Sequence, residues 1–169
     1  MKSLAAAGAA HDILRDNFRD TMAQAAGSVT AVTALDGARP HGTTVSAFLS
    51  LSMTPPLIAV ALDGDSDLLA LIRRTRQFGV NVLAVEQSTI ATRLSRKGPD
   101  KFDGLSWSLD HELPRLPGIA GWVAATVEDF LPGGDHRIVV GAVVDSEVDP
   151  GVAPLTYHRR TFGTHTPIV

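Results

Sequence analysis

Four short segments hold the residues whose types and spacing could do chemistry. In the first, Thr43, Thr44, Val45, Ser46 and Ala47 follow His41-Gly42, and Ser50 comes shortly after. Hydroxyls recur at positions 44, 46, 50 and 52, which share one side of an extended chain if the strand stays regular. Small side chains there let a flat ring approach the backbone, while hydroxyls and peptide N–H groups can bond its edge or a phosphate. The alternative is a solvated strand face, with Ser and Thr present for their β propensity. The second segment, Asp63-Gly64-Asp65-Ser66, stands between an apolar run and a helix start. Ser66 or Asp67 can cap that helix. A helix N-terminus with a free hydroxyl is also a phosphate site, although two nearby carboxylates oppose an anion unless they point away. The third segment is Phe78-Gly79-Val80-Asn81-Val82-Leu83. Asparagine is disfavoured inside a strand, so Asn81 either satisfies a bulge or neighbouring loop or contacts a bound cofactor. The fourth, Gly134-Asp135-His136, sets a histidine at a strand entrance after a Gly-rich loop. That histidine is either an exposed loop residue or a cation or donor beside a site of hydride transfer.

What is missing narrows the chemistry further. The chain has no G-x-G-x-x-G after a strand, no Walker A loop, no G-x-S-x-G elbow and no H-E-x-x-H. Cysteine is absent, which excludes disulfides, thiolate catalysis, Cys-ligated zinc and iron–sulfur clusters. His11, His111 and His165 lack metal-ligand spacing and read as surface residues. The 15 basic and 18 acidic residues are intermixed, so neither a nucleic-acid groove nor a polybasic membrane patch is expected.

The positioning elements follow from periodicity. Residues 1–11, a short alanine-rich run ended by His11 and Asp12, read as a flexible leader and not as a secretory signal. No apolar stretch approaches the ~20 residues that span a bilayer, and a cytoplasmic protein is the default expectation. Residues 12–169 suit a single domain. Ile13, Leu14, Phe18, Met22 and Ala25 form one stripe of a helix from Asp12 to Ala26, capped by Asp12 and closed by Gly27. Strands are expected over Ser28–Leu35, Thr43–Ser52, Leu57–Leu62 and Phe78–Val85, and a short one around Trp107. Helices are expected over Asp67–Arg74 and Ser88–Leu94, the latter capped by Ser88. Ile119–Phe130 and Arg137–Val148 are long β-type runs joined through Pro132-Gly133-Gly134, as a hairpin or a looped crossover. Many short strands and few helices predict a mainly β fold, an antiparallel barrel with flanking helices.

Taken in order, these pieces resemble the short-chain NAD(P)H:flavin oxidoreductases, the reductase components of two-component monooxygenases. The resemblance rests on Ala26-Gly27-Ser28-Val29-Thr30-Ala31-Val32-Thr33, Pro40 to Phe48, Ser50-Leu51-Ser52 with Pro55-Pro56-Leu57, and Phe78 to Leu83. Asp100-Lys101-Phe102, Gly134-Asp135-His136 and Pro154-Leu155-Thr156-Tyr157 complete it. It implies an FMN-binding split barrel of Greek-key type, a homodimer with flavin near the subunit interface, FMN or FAD as flavin, NADH or NADPH as electron donor, and a partner oxygenase. By the same resemblance Thr44, Ser46 and Ala47 belong to the segment along the isoalloxazine, and Asp63 and Ser66 to the ribityl and phosphate end; Thr43, Val45, Ser50 and Asn81 are expected to bind the cofactor with them. Lys101 and Phe102 belong to a loop closing over the flavin, and His136 and Tyr157 lie near the face that nicotinamide approaches. Two departures stand out. Ala47 replaces a second Ser common in relatives, and Tyr157-His158-Arg159-Arg160-Thr161-Phe162 lacks their Tyr-Arg-Gly-x-Tyr form.

Hydride transfer between two cofactors needs no protein nucleophile, which accords with the absence of a catalytic triad. His136 is accordingly expected to position or to polarise. Two other readings stay open at this point: a non-catalytic flavoprotein electron carrier, and a split-barrel oxidase acting directly on an organic substrate.

Overall fold

The computed structural model describes residues 2–168. In chain order, helix α1 (Lys2–Met22) leads into strands β1 (Gly27–Ser28), β2 (Thr30–Asp36), β3 (Arg39–Val45), β4 (Phe48–Met53) and β5 (Pro56–Asp63). Helix α2 (Asp67–Thr75), β6 (Gln77–Val82), a 3-10 turn at Val85–Gln87 and helix α3 (Ser88–Leu94) follow. The chain then forms β7 (Ser108–Asp110), β8 (Leu113–Arg115), β9 (Gly121–Gly133), β10 (His136–Val148), β11 (Leu155–His158) and β12 (Thr161–Thr164).

Seven strands join in the order β3-β2-β6-β9-β10-β5-β4, antiparallel throughout. β3 and β4 are the two outer strands, yet they are consecutive in the chain and separated only by Ser46 and Ala47. The sheet therefore curls until β3 also reaches β5, giving an antiparallel barrel left open between β3 and β4. The backbone N–H of Ala61 donates to the carbonyl of Ala47 at 3.0 Å and holds the connecting corner against β5. β1-β11-β12 and β7-β8 form two small accessory sheets.

The barrel is filled by one apolar cluster that includes Val32, Val60, Leu62, Phe78, Val80 and Val139, and α2 plugs its end with Leu68, Leu69, Leu71 and Ile72. Burying each such leucine or isoleucine is worth ~1.5–3 kcal/mol, so α2 is fixed by its packed face more than by helix propensity. A second cluster, with Val29, Leu83, Leu94, Phe102, Leu116 and Trp122, lies under α3 and the loops around β7 and β8. Gly79 permits their junction. A Cβ there would stand 2.2 Å from Trp122 Cη2, so no other residue lets the indole lie across β6.

Several sequence expectations need correction. α1 begins at Lys2, not at Asp12, so the segment read as a leader continues the helix, as its alanine content favours. Asp12 therefore lies inside α1, where it pairs with Arg15 at 3.5 Å, and the helix ends at Met22, leaving Gly27 to begin β1. The strand expected over Thr43–Ser52 is broken at Ser46–Ala47, so its hydroxyls do not share one continuous face. β6 stops at Val82 because Val85 enters the 3-10 turn, and Ser88 is the first residue of α3, not its cap. Trp107 immediately precedes β7. Among the described residues no helix is long and apolar enough to cross a membrane.

Candidate functional site

The open seam of the barrel carries a groove built from two adjoining clefts that share Thr43, Asp63 and Ser66. The first, about 250 Å3, runs along Thr44, Val45, Ser46 and Ala47 at the end of β3, with Ala61 and Leu62 of β5 as its floor and His136 at its side. The second, about 290 Å3, continues past the start of α2 to Arg96, Lys97 and Lys101 on the loop after α3. Nine of the residues singled out in the sequence line it: Thr43, Thr44, Val45, Ser46, Ala47, Asp63, Ser66, Lys101 and His136.

Each is set by local chemistry. Thr43 and Thr44 donate their hydroxyl hydrogens to the carbonyls of Leu94 (3.2 Å) and Ala91 (2.6 Å) at the C-terminal end of α3. Towards a ligand these hydroxyls can therefore only accept. Ser46 and Ala47 are exposed at the corner between β3 and β4, where small side chains leave the backbone open to a flat ring. Ser66 caps α2, its Oγ accepting from Leu69 N at 3.0 Å, and its own hydrogen stays available for an anion. Asp63 Oδ1 accepts from the Asp65 N–H at 2.9 Å, which turns that carboxylate oxygen back onto its own loop.

His136 owes its place to the β9–β10 hairpin. Gly133 pairs with His136 across a two-residue turn in which Gly134 takes φ +71°, the demand of a tight hairpin. His136 also stands opposite Asp63 in the β5–β10 ladder, and Gly64 N donates to Asp135 O at 2.9 Å, which pins the turn to the α2 entrance. Its Nδ1 lies 2.8 Å from Asp135 Oδ1. An ionised carboxylate only accepts, so Nδ1 carries the proton and a neutral imidazole presents Nε2 as an acceptor. The hydrogen bond to His136 holds the Asp135 carboxyl below its ordinary range. With the His136 side chain 44% exposed, the ring is accessible from solvent.

The far end of the groove sets the cations Arg96, Lys97 and Lys101 of the loop after α3 against the carboxylates Asp63, Asp65 and Asp67 of the turn into α2. Lys101 Nζ donates to Gly42 O at 3.3 Å and approaches Thr43 Oγ1 at 3.5 Å, and burial pushes its pKa down. His41, at the same end, is also lowered, first by burial and then by the Lys101 charge. Arg96, Lys97 and His41 escaped the sequence reading. The signal was present as four cations, Arg93, Arg96, Lys97 and Lys101, in one short turn-rich stretch.

Four expected site residues fall elsewhere. Asn81 is fully buried and committed: its Nδ2 donates to Ala31 O (3.2 Å) and Thr33 Oγ1 (3.3 Å), and its Oδ1 accepts from Leu116 N (2.8 Å). It ties β6 to β2 and to the chain after β8, so the loop-satisfying reading is the correct one. Phe102 is 7% exposed within the second apolar cluster, a core residue and not a lid. Ser50 is on the edge strand β4, near Met53 and away from the groove lining. Tyr157 is on β11, opposite Gly27, with its ring against Phe162 at 5.2 Å between centroids. Among the described residues no group of three or more His, Asp or Glu could hold a metal.

The curled antiparallel sheet, with a groove at its open seam lined by small residues at one end and by charged ones at the other, is a split-barrel architecture. The chain belongs to the flavin reductase family, its residues 22–166 matching the model described as Flavin reductase like domain. It is 37% identical, over 89% of its own length and 80% of the other's, to the reductase component of a 4-nitrophenol 4-monooxygenase/4-nitrocatechol 2-monooxygenase from Rhodococcus opacus. It is 36% identical to an NADH:riboflavin 5'-phosphate oxidoreductase from Streptomyces pristinaespiralis, covering 89% of this chain and 88% of the relative. Among solved structures, the NADH:FAD oxidoreductase of Streptomyces globisporus superposes with a TM-score of 0.85 at 27% identity, over 90% of this chain and 94% of that one.

Proposed function

We propose that this chain is an NAD(P)H:flavin oxidoreductase that reduces FMN or FAD and hands the reduced flavin to a separate monooxygenase. The observation that carries the reading is the continuous groove from Ser46 and Ala47 to Arg96, Lys97 and Lys101, which fits a flat heterocycle with an anionic tail. The bound flavin and nicotinamide supply the reaction, a hydride passing from nicotinamide to flavin N5.

The chain's own residues bind and orient. Ser46 and Ala47 let the ring lie against backbone, and Thr43 and Thr44 offer acceptors for its N–H edge. Ser66 and Lys101 meet the phosphate, and Asp63 accepts from ribityl hydroxyls. His136, held through Nδ1 by Asp135 and lining the groove, leaves Nε2 free to orient the nicotinamide donor without acting as a base.

A homodimer is part of this proposal. Ile13, Leu14, Phe18 and Met22 form the apolar stripe expected of α1, yet each is more than half exposed in the single chain. Leu49, Leu51 and Met53 on β4, next to the Ser46–Ala47 corner, are exposed as well. Faces of this kind mark contact surfaces, and a second copy over β4 would shield the ring seat from water. The cytoplasm, where NAD(P)H is supplied, is the proposed compartment.

The test is aerobic oxidation of NADH and of NADPH with FMN, FAD or riboflavin added in turn. Flavin-dependent turnover is expected. Tight flavin binding without nicotinamide oxidation would point to an electron carrier, and flavin reduction by an organic substrate alone to a direct oxidase.

A further inference from the structure

The formal charges of the second cleft cancel. Its lining sets Arg96, Lys97 and Lys101 against Asp63, Asp65 and Asp67, three cations against three carboxylates. A phosphate gains little from a wall so balanced. The further titratable ring in that lining is His41, so its proton decides whether the cleft is neutral or positive.

Position and freedom fit the ring for that role. His41 is half-buried on β3, opposite Ala34 of β2, and its neighbour Gly42 supplies the carbonyl that Lys101 Nζ reaches at 3.3 Å. The rings of His111 and His136 are held by Asp145 and Asp135, whereas among the described residues nothing hydrogen-bonds the His41 ring. The charges on its other flank neutralise one another too. Arg74 of α2 pairs with Asp36 of β2, and Arg39 of β3 pairs with Asp100 at 3.8 Å. Burial and the Lys101 charge favour the neutral ring in the free chain, and Asp67 opposes them only in part. A phosphate beside Lys101 offsets that charge and adds its own, which favours the imidazolium.

We propose that His41 is a proton-coupled anion contact: a phosphate entering the second cleft draws a proton from solvent onto the imidazole, and the imidazolium then holds that phosphate together with Lys101. The inference rests on the flavin reading above and adds to it a control by pH. Affinity for a phosphorylated flavin rises as the pH falls through the histidine range, and release becomes easier as the pH rises. Riboflavin, without a phosphate, is indifferent to the ring.

Calorimetric titration of FMN and riboflavin at about pH 6.5, in two buffers of different ionisation enthalpy, counts the protons taken up per flavin bound. The parent is compared with His41→Gln. The FMN phosphate itself titrates near pH ~6 and loses protons to the cations' pull, a contribution that subtracting the variant removes. With FMN the parent should take up on the order of half a proton more than the variant. That is the uptake a tenfold gain in the ring's proton affinity gives midway through its titration. The ratio of parent to variant FMN affinity should fall by up to about tenfold from roughly pH 5.5 to roughly pH 8. Proton NMR of the parent gives the same answer without a substitution: one histidine ring should titrate at higher pH with FMN bound than with riboflavin bound. Equal proton uptake by parent and variant, with FMN bound by both, overturns the inference and leaves the flavin reading standing. So does a difference between them that is as large with riboflavin as with FMN. A parent that binds neither flavin removes the flavin reading and this inference with it.

Discussion

Replacing Asn81 with Leu separates a structural role from a cofactor role more sharply than any change in the groove. The two side chains share the same four-atom branched outline, so the change alters chemistry more than shape, with two methyl groups adding some bulk at a fully buried site. What disappears is the hydrogen bonding: Leu116 N loses its 2.8 Å acceptor, and Ala31 O and Thr33 Oγ1 lose a shared donor. A buried donor left without a partner costs ~1–3 kcal/mol. Thr33 Oγ1 keeps its own bond to Pro114 O at 2.7 Å, so it adds little to that loss. The net destabilisation is about 2–4 kcal/mol, and a domain of this size loses ~2–4 °C per kcal/mol. A fall of roughly 5–15 °C in the melting midpoint is therefore expected by calorimetry. Flavin affinity measured well below that midpoint should stay within twofold, since Asn81 does not line the groove. A variant with the parent's midpoint and a weakened flavin affinity would refute the reasoning and return Asn81 to the cofactor.

Ser46→Leu should weaken flavin binding at least tenfold, while urea unfolding shifts by no more than about 0.5 kcal/mol because the residue is exposed; an unchanged affinity in titration would make Ser46 an ordinary corner residue. His136→Ala should slow flavin reduction or raise the KM for NAD(P)H by about ten- to a hundredfold in stopped-flow measurements, with flavin affinity retained; parent-like rates would remove His136 from the site. His41 has a folded pKa below its unfolded value, so the unfolded chain takes up its proton first on acidification. Its contribution is complete above about pH 6.5, and stability drains away as the pH falls from there toward the folded pKa. His41→Gln should flatten the pH dependence of the urea midpoint between pH 5 and 7, and an identical slope in parent and variant would contradict that sign.

The elements that carry periodic or punctuated sequence were legible before any coordinates. α3 occupies the expected Ser88–Leu94, α2 begins at the expected Asp67 behind Ser66, and the long β9–β10 pair turns at the Gly-rich loop. The break at Ser46–Ala47 was not legible, because Thr and Ser favour strands on either side of it and the bend is imposed by closing the barrel onto β5. Asn81 was noticed as anomalous, but its partner Leu116 lies 35 residues away, and local pattern cannot supply that contact. Lys101 and Phe102 are neighbours with opposite fates. The ammonium reaches Gly42 O in the groove, and the ring turns into the core. Adjacency in sequence made them look like one lid.

The hydrogen bonds from Thr43 and Thr44 to the end of α3 have a mechanical side. Together with the reach of Lys101 back to Gly42, they fasten the cationic loop at both its ends to the strand that carries the ring seat. The separation between the two seats is thereby fixed before a ligand arrives, and the groove works as a caliper. Riboflavin, lacking the phosphate, cannot draw the loop inward to make up the missing contact; it forfeits the cations altogether. A preference for a phosphorylated flavin over riboflavin is therefore predicted to come from rigidity, and cutting the tether with Thr43→Val should narrow it while Arg96, Lys97 and Lys101 remain in place.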